Sequence, residues 1–290
     1  VLLERLPDAA LAPGIAPGID RVGVMLPAFP LHALLLGEPG AEDGFAALVM
    51  TSGNRADEPV CHTSGAAAAR LGPLADGFLL HDRRIVAPCD DSVVRVAAGE
   101  VLPLRRARGY APLPVPLGGD GPTVLALGAD LKSAACVAVG PRAWMTQHVG
   151  DLGTLESLEA LEAAVGHLLG LLGVRPAIVA SDLHPGYHSG RLAAALAARF
   201  GAALERVGHH EAHAAAVVAD RWAADPGDAD TGALVAAFDG TGFFPAPSGP
   251  IVAGGEWFRG TGEPSVPALA HVASLAPFAL SGGDAAVRRP

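Results

Sequence analysis

Beyond residue 117 the apolar positions fall into regular, alternating patterns. Leu155, Leu158, Leu161, Val165, Leu168 and Leu172 recur at three- and four-residue steps, which predicts one apolar helix face over residues 154–172, with Gly173 at its C-terminal stop. Ahead of it, apolar runs at 123–127, 135–139 and 143–148 are joined by tight Gly turns and predict three strands. Behind it come a short buried strand at 177–180 ending in Ser181-Asp182, a helix at 189–200, a strand at 203–207 and a helix at about 211–223. The run 234–238 reads as one more buried strand, ending at Asp239 in a Gly-rich turn.

Residues 1–117 have another texture. Pro and Gly are dense around 7–30, strand-like pieces recur at 22–26, 47–51, 78–81 and 92–96, and helices are expected only at 31–36 and at 64–71, the latter with Ser64 as its N-cap. This is an α+β pattern. The Pro- and Gly-rich stretch 111–122 breaks any regular ladder and reads as a linker, so the expected organisation is 1–117, a join at 118–122, and 123–290. The element order after the join is βββαβαβα, an α/β unit of ribonuclease-H-like type. Actin-type and sugar-kinase-type ATPases use that unit twice, and the run at Leu234 would open a second copy, cut short. The chain starts without Met on a strand already under way and stops in a loop at Pro290, so a fragment cut inside larger units is expected.

Composition narrows the classes. Half of the 290 residues are hydrophobic and 17% are charged, enough for a substantial core, and aromatics at 5% mean that it is built from Ala, Val and Leu. A net charge of -10 argues against sequence-independent nucleic-acid binding but leaves room for a local anion site. No apolar run reaches the roughly 18 residues of a membrane-spanning helix, and the opening Val-Leu-Leu-Glu-Arg is no signal peptide. Cys61, Cys89 and Cys136 are too few and too scattered for a disulfide framework, which suits reduced thiols in the cytoplasm. Asp90 and Asp91 beside Cys89 should raise its pKa and oppose a nucleophilic role.

The candidate chemistry begins with His209-His210-Glu211-Ala212-His213. His209 and His213 stand at i and i+4, so on a helix both imidazoles face one metal ion. Asp239-Gly240-Thr241-Gly242 downstream offers a carboxylate and glycines suited to a metal with a phosphate, although a helical His pair is also compatible with two ordinary surface imidazoles. Thr51-Ser52-Gly53-Asn54 offers donors to phosphate or carboxylate oxygens, or is a plain strand exit. Arg105-Arg106-Ala107-Arg108-Gly109 suggests recognition of a polyanion, or a charged edge strand. The turn Gly128-Ala129-Asp130-Leu131-Lys132-Ser133 corresponds to the hairpin that approaches nucleotide phosphates in actin-like ATPases, where Lys132 would neutralise charge. Asp182-Leu183-His184-Pro185 ends a strand at the same mouth, with His184 open to a mere turn role, and His148 and His188 are read as structural.

Together these segments resemble the HypF carbamoyltransferase family of nickel–iron hydrogenase maturation. The likeness runs through VGVMLPAFPLH (22–32), LVMTSGN and DEPV (48–60), ADGFLLHDRRIVAPCDDSVVRV (75–96), LPLRRARGYAPLPV (102–115), LALGADLKSAACV (125–137), QHVGDL (147–152), SDLHPGYHS (181–189), HHEAH (209–213), FDGTGF (238–243), GGE (254–256) and SGGDAAVRRP (281–290). It departs at Ala56, where the family usually has Ser, at Ala253, where a Trp is common, and in a longer, Pro-richer loop over 244–252.

The resemblance implies the later part of a YrdC-like adenylation domain up to about residue 117, then the front of a ribonuclease-H-like carbamoyl-transfer domain. The family's acylphosphatase and zinc-finger domains are not in these residues. Carbamate from carbamoyl phosphate would attack ATP, with Mg2+, to give carbamoyl-adenylate. The carbamoyl group would then pass to the C-terminal cysteine of a partner, HypE, on the way to the cyanide ligand. By the same resemblance Thr51, Ser52, Asn54, Ser92, Arg105 and Arg108 line the adenylation site. His209, His213 and Asp239 ligate zinc or iron, and Gly240, Thr241 and Gly242 meet nucleotide phosphate. Two alternatives stay open: transfer to tRNA or a small molecule, and a silent fragment that only binds nucleotide or partner.

Overall fold

The computed structural model describes residues 1–9, 11–12, 14–37, 44–56, 58–117, 119–224, 234–239, 244–246, 249–251, 254–261 and 268–274, with side chains described through residue 220 and at Ala237. The chain divides into two units, residues 1–56 with 60–110, and residues 57–59 with 111–290.

In the first unit β1 (Leu2–Glu4) pairs antiparallel with β2 (Arg21–Gly23) and parallel with β3 (Val93–Ala97), and β3 turns back into β4 (Glu100–Arg105), giving sheet order β2-β1-β3-β4. The β3–β4 turn is the two-residue kind that needs positive φ twice: Ala98 sits at 52° and Gly99 at 83°, matching the strands' right-handed twist. Among the described residues the unit also has two short α-helices, α1 (Pro30–Leu36), opened by its proline, and α2 (Ser64–Leu71), with a 3-10 turn over Gly72–Leu74 after it.

Three expectations change here. The cap of α2 is Thr63, whose hydroxyl accepts the Ala66 N–H, while Ser64 already has helical geometry and donates its own hydroxyl to the His81 carbonyl. The stretches 47–51 and 78–81 are irregular, and their apolar side chains lie open, Val49 at 78% and Leu79 at 76%. Their composition suits strands, but none of the paired strands takes up their backbone, and β-propensity expresses itself only against neighbours. Among the described residues of this unit only Ala107 is buried.

The second unit is built on a six-stranded sheet. After β5 (Val115–Pro116) come β6 (Val124–Ala126), β7 (Cys136–Val139) and β8 (Arg142–Met145), an antiparallel meander. Then follow α3 (Leu155–Leu172), β9 (Ile178–Asp182), α4 (His188–Phe200), β10 (Ala203–Val207) and α5 (His209–Ala224). The strand order is β10-β9-β6-β7-β8-β5, with β6, β9 and β10 parallel. That is the βββαβαβα order of a ribonuclease-H-like unit. The stretch 111–122 is not free of ladder structure: Val115 pairs with Ala143 and Pro116 with Arg142. An edge position is where a strand tolerates proline, because the missing N–H faces away from the sheet.

Helix α3 follows its sequence signals closely. Thr154 and Ser157 form a reciprocal capping box, and Gly173 ends the helix at φ 64°. Its buried face, Leu161, Val165 and Leu168, meets Leu125, Val137 and Val179 from the sheet in an aliphatic core. Helix α4 starts differently. Tyr187 gives no side-chain cap, and Asp130, from the turn after β6, accepts the N–H groups of both His188 and Ser189 at 2.9 Å. Burial alone would raise the Asp130 carboxyl, but these bonds, with one to the His188 ring, outweigh it and hold the group below the ordinary carboxylate range.

Past α5, strand β11 (Leu234–Asp239) begins a second meander. The hairpin β12 (Phe244–Ala246) and β13 (Gly249–Ile251) follows, then β14 (Gly254–Thr261) and β15 (Ala268–Ser274), with sheet order β11-β14-β15, all antiparallel. This resembles the antiparallel β6, β7 and β8 that open the same unit, with α5 packed against β11 and β14. The Pro-rich stretch expected as a loop pairs with itself, Phe244 opposite Ile251.

Two stability outcomes follow. Leu161→Ala should cost about 2–5 kcal/mol, and Leu171→Ala, at a 59% exposed position of the same helix, within about 0.5 kcal/mol; urea denaturation followed by far-UV circular dichroism checks both. Asp130→Asn should lose roughly 1.5–3 kcal/mol at pH 7. Because the folded pKa is depressed, that stability is present above the usual value of 3.8 and disappears as pH falls through the folded value. Denaturation midpoints of wild type and variant should therefore converge in acid.

Candidate metal and nucleotide sites

Strands β6, β9 and β10 run parallel, so their carboxyl ends lie along one edge of the sheet, where open α/β folds place their ligands. The register is tight: Val207 lies opposite Asp182, and the Leu183 N–H donates to the Val207 carbonyl at 2.9 Å. Asp182 therefore ends β9 beside the point where β10 turns, through Gly208, into α5 at His209. The Asp182 N–H in turn reaches the Gly128 carbonyl after β6 at 3.3 Å.

The His209 ring lies against the Asp182 carboxylate, Nδ1 to Oδ2 at 2.5 Å. A carboxylate only accepts, so Nδ1 is the donor of this pair, which fixes the ring's tautomer and orientation. The other carboxylate oxygen, Oδ1, accepts the His184 N–H at 2.7 Å. His213, one helical turn along α5, places its ring 4.8 Å from that of His209, edge to face. The expected pair does share a face. His210 turns the other way and is fully buried. His209 is half-buried and His213 exposed, so the pair stands at the rim of the interior.

Two imidazoles at this separation fit zinc or iron chemistry. Among the described residues no three His, Cys, Asp or Glu side chains form a complete metal group. Asp239, the expected third ligand, ends β11 opposite Gly254, but its side chain lies outside the described residues, as do Gly240, Thr241 and Gly242.

The turn after β6 separates its two candidates. Asp130 spends both oxygens on the start of α4, so its visible work is to anchor that helix. Lys132 has an exposed side chain, a left-handed backbone at φ 50° and an N–H held by Asp151 at 2.7 Å. His184 is a turn residue, accepting the Gly186 N–H and stacking on Tyr187 at 4.2 Å.

In the first unit, Arg105 and Arg108 gather around two aspartates. Arg105 bridges to Asp90 at 2.9 Å and Arg108 to Asp91 at 3.4 Å, with Arg108 also over the Phe29 ring. Ser92 closes the cluster: its hydroxyl accepts the Ala107 N–H and donates to the Arg108 carbonyl, both at 2.8 Å. Arg106 lies instead over Tyr110. Ser52 and Asn54 bond each other in their own loop, Oγ to Oδ1 at 2.5 Å, with Thr51 exposed beside them. Cys89 is raised, chiefly by burial, with Arg108 lowering it and Asp90 and Asp91 raising it. The upward direction expected from the neighbouring carboxylates holds, but burial is its largest cause. Burial pushes Cys136 up to about 11, so neither thiol is primed as a nucleophile.

Three residues have roles that the sequence pattern does not show. Asp182, by pattern only a strand end, holds the His209 ring, His188 pairs with Asp130 at 2.9 Å, and Arg206 ties Ser181 and the Asp182 carbonyl to the Gly190 carbonyl. A Cβ on Gly190 would come within 2.4 Å of the Arg206 guanidinium, so a larger residue there would displace that side chain from its bonds. A carboxylate at the end of the strand next to β10 was the available signal for Asp182.

Residues 1–107 match the family model described as "Telomere recombination" (Sua5, YciO, YrdC), and residues 119–220 match the "HypF Kae1-like domain". The carbamoyltransferase HypF2 of Cupriavidus necator is 43% identical over 96% of this chain, and the HypF of Synechocystis 41% identical over all of it. Among solved structures, full-length HypF in its phosphate- and nucleotide-bound form superposes with a TM-score of 0.76 at 35% identity, over 89% of this chain and 38% of that one. HypF of T. kodakarensis gives 0.79 at 30% identity, over 98% and 35%. The chain spans about a third of the length of the curated relatives, 34% and 35% for the two named. No helix among the described residues is long and apolar enough to cross a membrane. With both domain models matched in order and identity above 40% along nearly the whole chain, the protein belongs to the HypF carbamoyltransferase family.

Proposed function

We propose that this chain contributes to ATP-dependent carbamoyl transfer, making carbamoyl-adenylate in its first unit and handing the carbamoyl group to a protein thiol in its second. The observation that carries the reading is the His209–His213 pair at the carboxyl edge of three parallel strands in a chain of this family. In the first step a carbamate oxygen attacks the α-phosphorus of Mg2+–ATP and pyrophosphate leaves. Arg105 and Arg108 are suited to that departure, because each guanidinium can exchange its aspartate for a pyrophosphate oxygen as charge builds there. Ser52 and Asn54, with Thr51, supply neutral donors of the kind that orient a triphosphate or a carboxylate.

In the second step the acceptor thiolate attacks the carbamoyl carbon and AMP leaves. The acceptor proposed is the C-terminal cysteine of HypE, and the ultimate carbamoyl source is carbamoyl phosphate. The net charge of -10 favours a protein acceptor over tRNA. His209, His213 and Asp239 would hold zinc or iron, which supplies Lewis acidity toward phosphate oxygens. The N–H groups of Gly240, Thr241 and Gly242, with Lys132, would hold the nucleotide phosphate against water.

The test uses one purified sample of the chain, measured for metal by elemental analysis and for ATP by calorimetry. The reading predicts one zinc or iron per chain together with ATP binding, and His213→Ala with strongly substoichiometric metal. Wild-type protein that stays metal-free after growth and purification in metal-replete medium would contradict it, as would unchanged metal content in His213→Ala. Exchange of labelled pyrophosphate into ATP that depends on added carbamate separates adenylate formation from mere nucleotide binding.

A further inference from the structure

We infer that Asp182 is a positioning residue: it fixes which nitrogen of His209 faces a metal and holds the ring at the angle that brings it to His213. This rests on the metal reading above. Asp182 is buried to 6% exposure, and its two oxygens have divided duties, Oδ1 to the His184 N–H and Oδ2 to His209 Nδ1. Both neighbours are donors aimed at it, and both donors are satisfied only by a group that accepts on each side. The parallel register then makes the arrangement rigid, because Val207 lies opposite Asp182 and Arg206 binds the Asp182 carbonyl at 3.3 Å. A ligating histidine whose far nitrogen donates to a carboxylate is held in one tautomer and becomes more basic at the metal-facing nitrogen.

Asparagine at 182 has the same shape but cannot serve both donors. If its oxygen stays on His184, its amide N–H faces His209 Nδ1, which must then accept, and the ring proton moves to Nε2, where a metal would bind. If its oxygen serves His209, two N–H groups collide at His184. Asp182→Asn should therefore weaken metal binding while leaving the fold in place.

Two readouts on the 290-residue chain test this. In metal-free wild type at neutral pH, nitrogen-15 histidine NMR, with His209→Gln to assign the signal, should show the proton retained on His209 Nδ1; a bare Nδ1 with the proton on Nε2 overturns the inference without any variant. In zinc competition against a chromophoric chelator, Asp182→Asn should bind about ten- to a hundredfold more weakly than wild type, with its far-UV circular dichroism unchanged; wild-type affinity in the variant overturns it. Failure of wild type itself to bind zinc would strike at the metal reading, whereas the Nδ1 result decides the role of Asp182 by itself.

Discussion

Parallel pairing of β6, β9 and β10 is the constraint on which the rest of the second unit depends. Each strand is short, three to five residues, and each ends at the same edge. Because neighbours rise together, the residue after one strand falls beside the residue after the next. Asp130, Asp182 and His209 reach that edge from positions far apart in sequence, and the bonds made there close the structure: Asp130 to the start of α4, Asp182 to the start of α5. The aliphatic core beneath, with α3 laid on the sheet, fixes the strands firmly enough for these polar contacts to form in one geometry.

This edge does two kinds of work with the same residue type. Asp130 is a remote helix cap, a carboxylate satisfying N–H groups that α4 leaves unpaired at its start. Asp182 holds an imidazole. The difference lies in what the register delivers opposite each acid, a helix N-terminus in one case and a histidine ring in the other. The first unit uses its acids differently again. Asp90 and Asp91 neutralise Arg105 and Arg108 in a half-open cluster, where an incoming polyanion competes with carboxylates.

Local signals were legible in the sequence wherever the physics was local. Helix α3 announced itself through its apolar face and Gly173, with Thr154, read as its first residue, serving as its cap, and the βββαβαβα order followed from short apolar runs between glycine turns. The i, i+4 spacing of His209 and His213 gave the shared face correctly. What escaped depends on distant partners. Asp182 and His209 are 27 residues apart, Asp130 and His188 are 58, and no periodicity links them. The runs at 47–51 and 78–81 failed for the complementary reason, since strand composition without a neighbouring strand leaves the backbone irregular. Proline misled at 115–116, where an edge strand accommodates it.

The central claim is that this edge of the sheet holds a metal through imidazole nitrogen. X-ray absorption at the zinc edge, on zinc-loaded protein, tests it most directly. The account predicts two histidine ligands at about 2.0–2.1 Å, recognisable by imidazole multiple scattering, and the loss of one in His209→Gln. A zinc spectrum without imidazole scattering, or one untouched by that substitution, would contradict it.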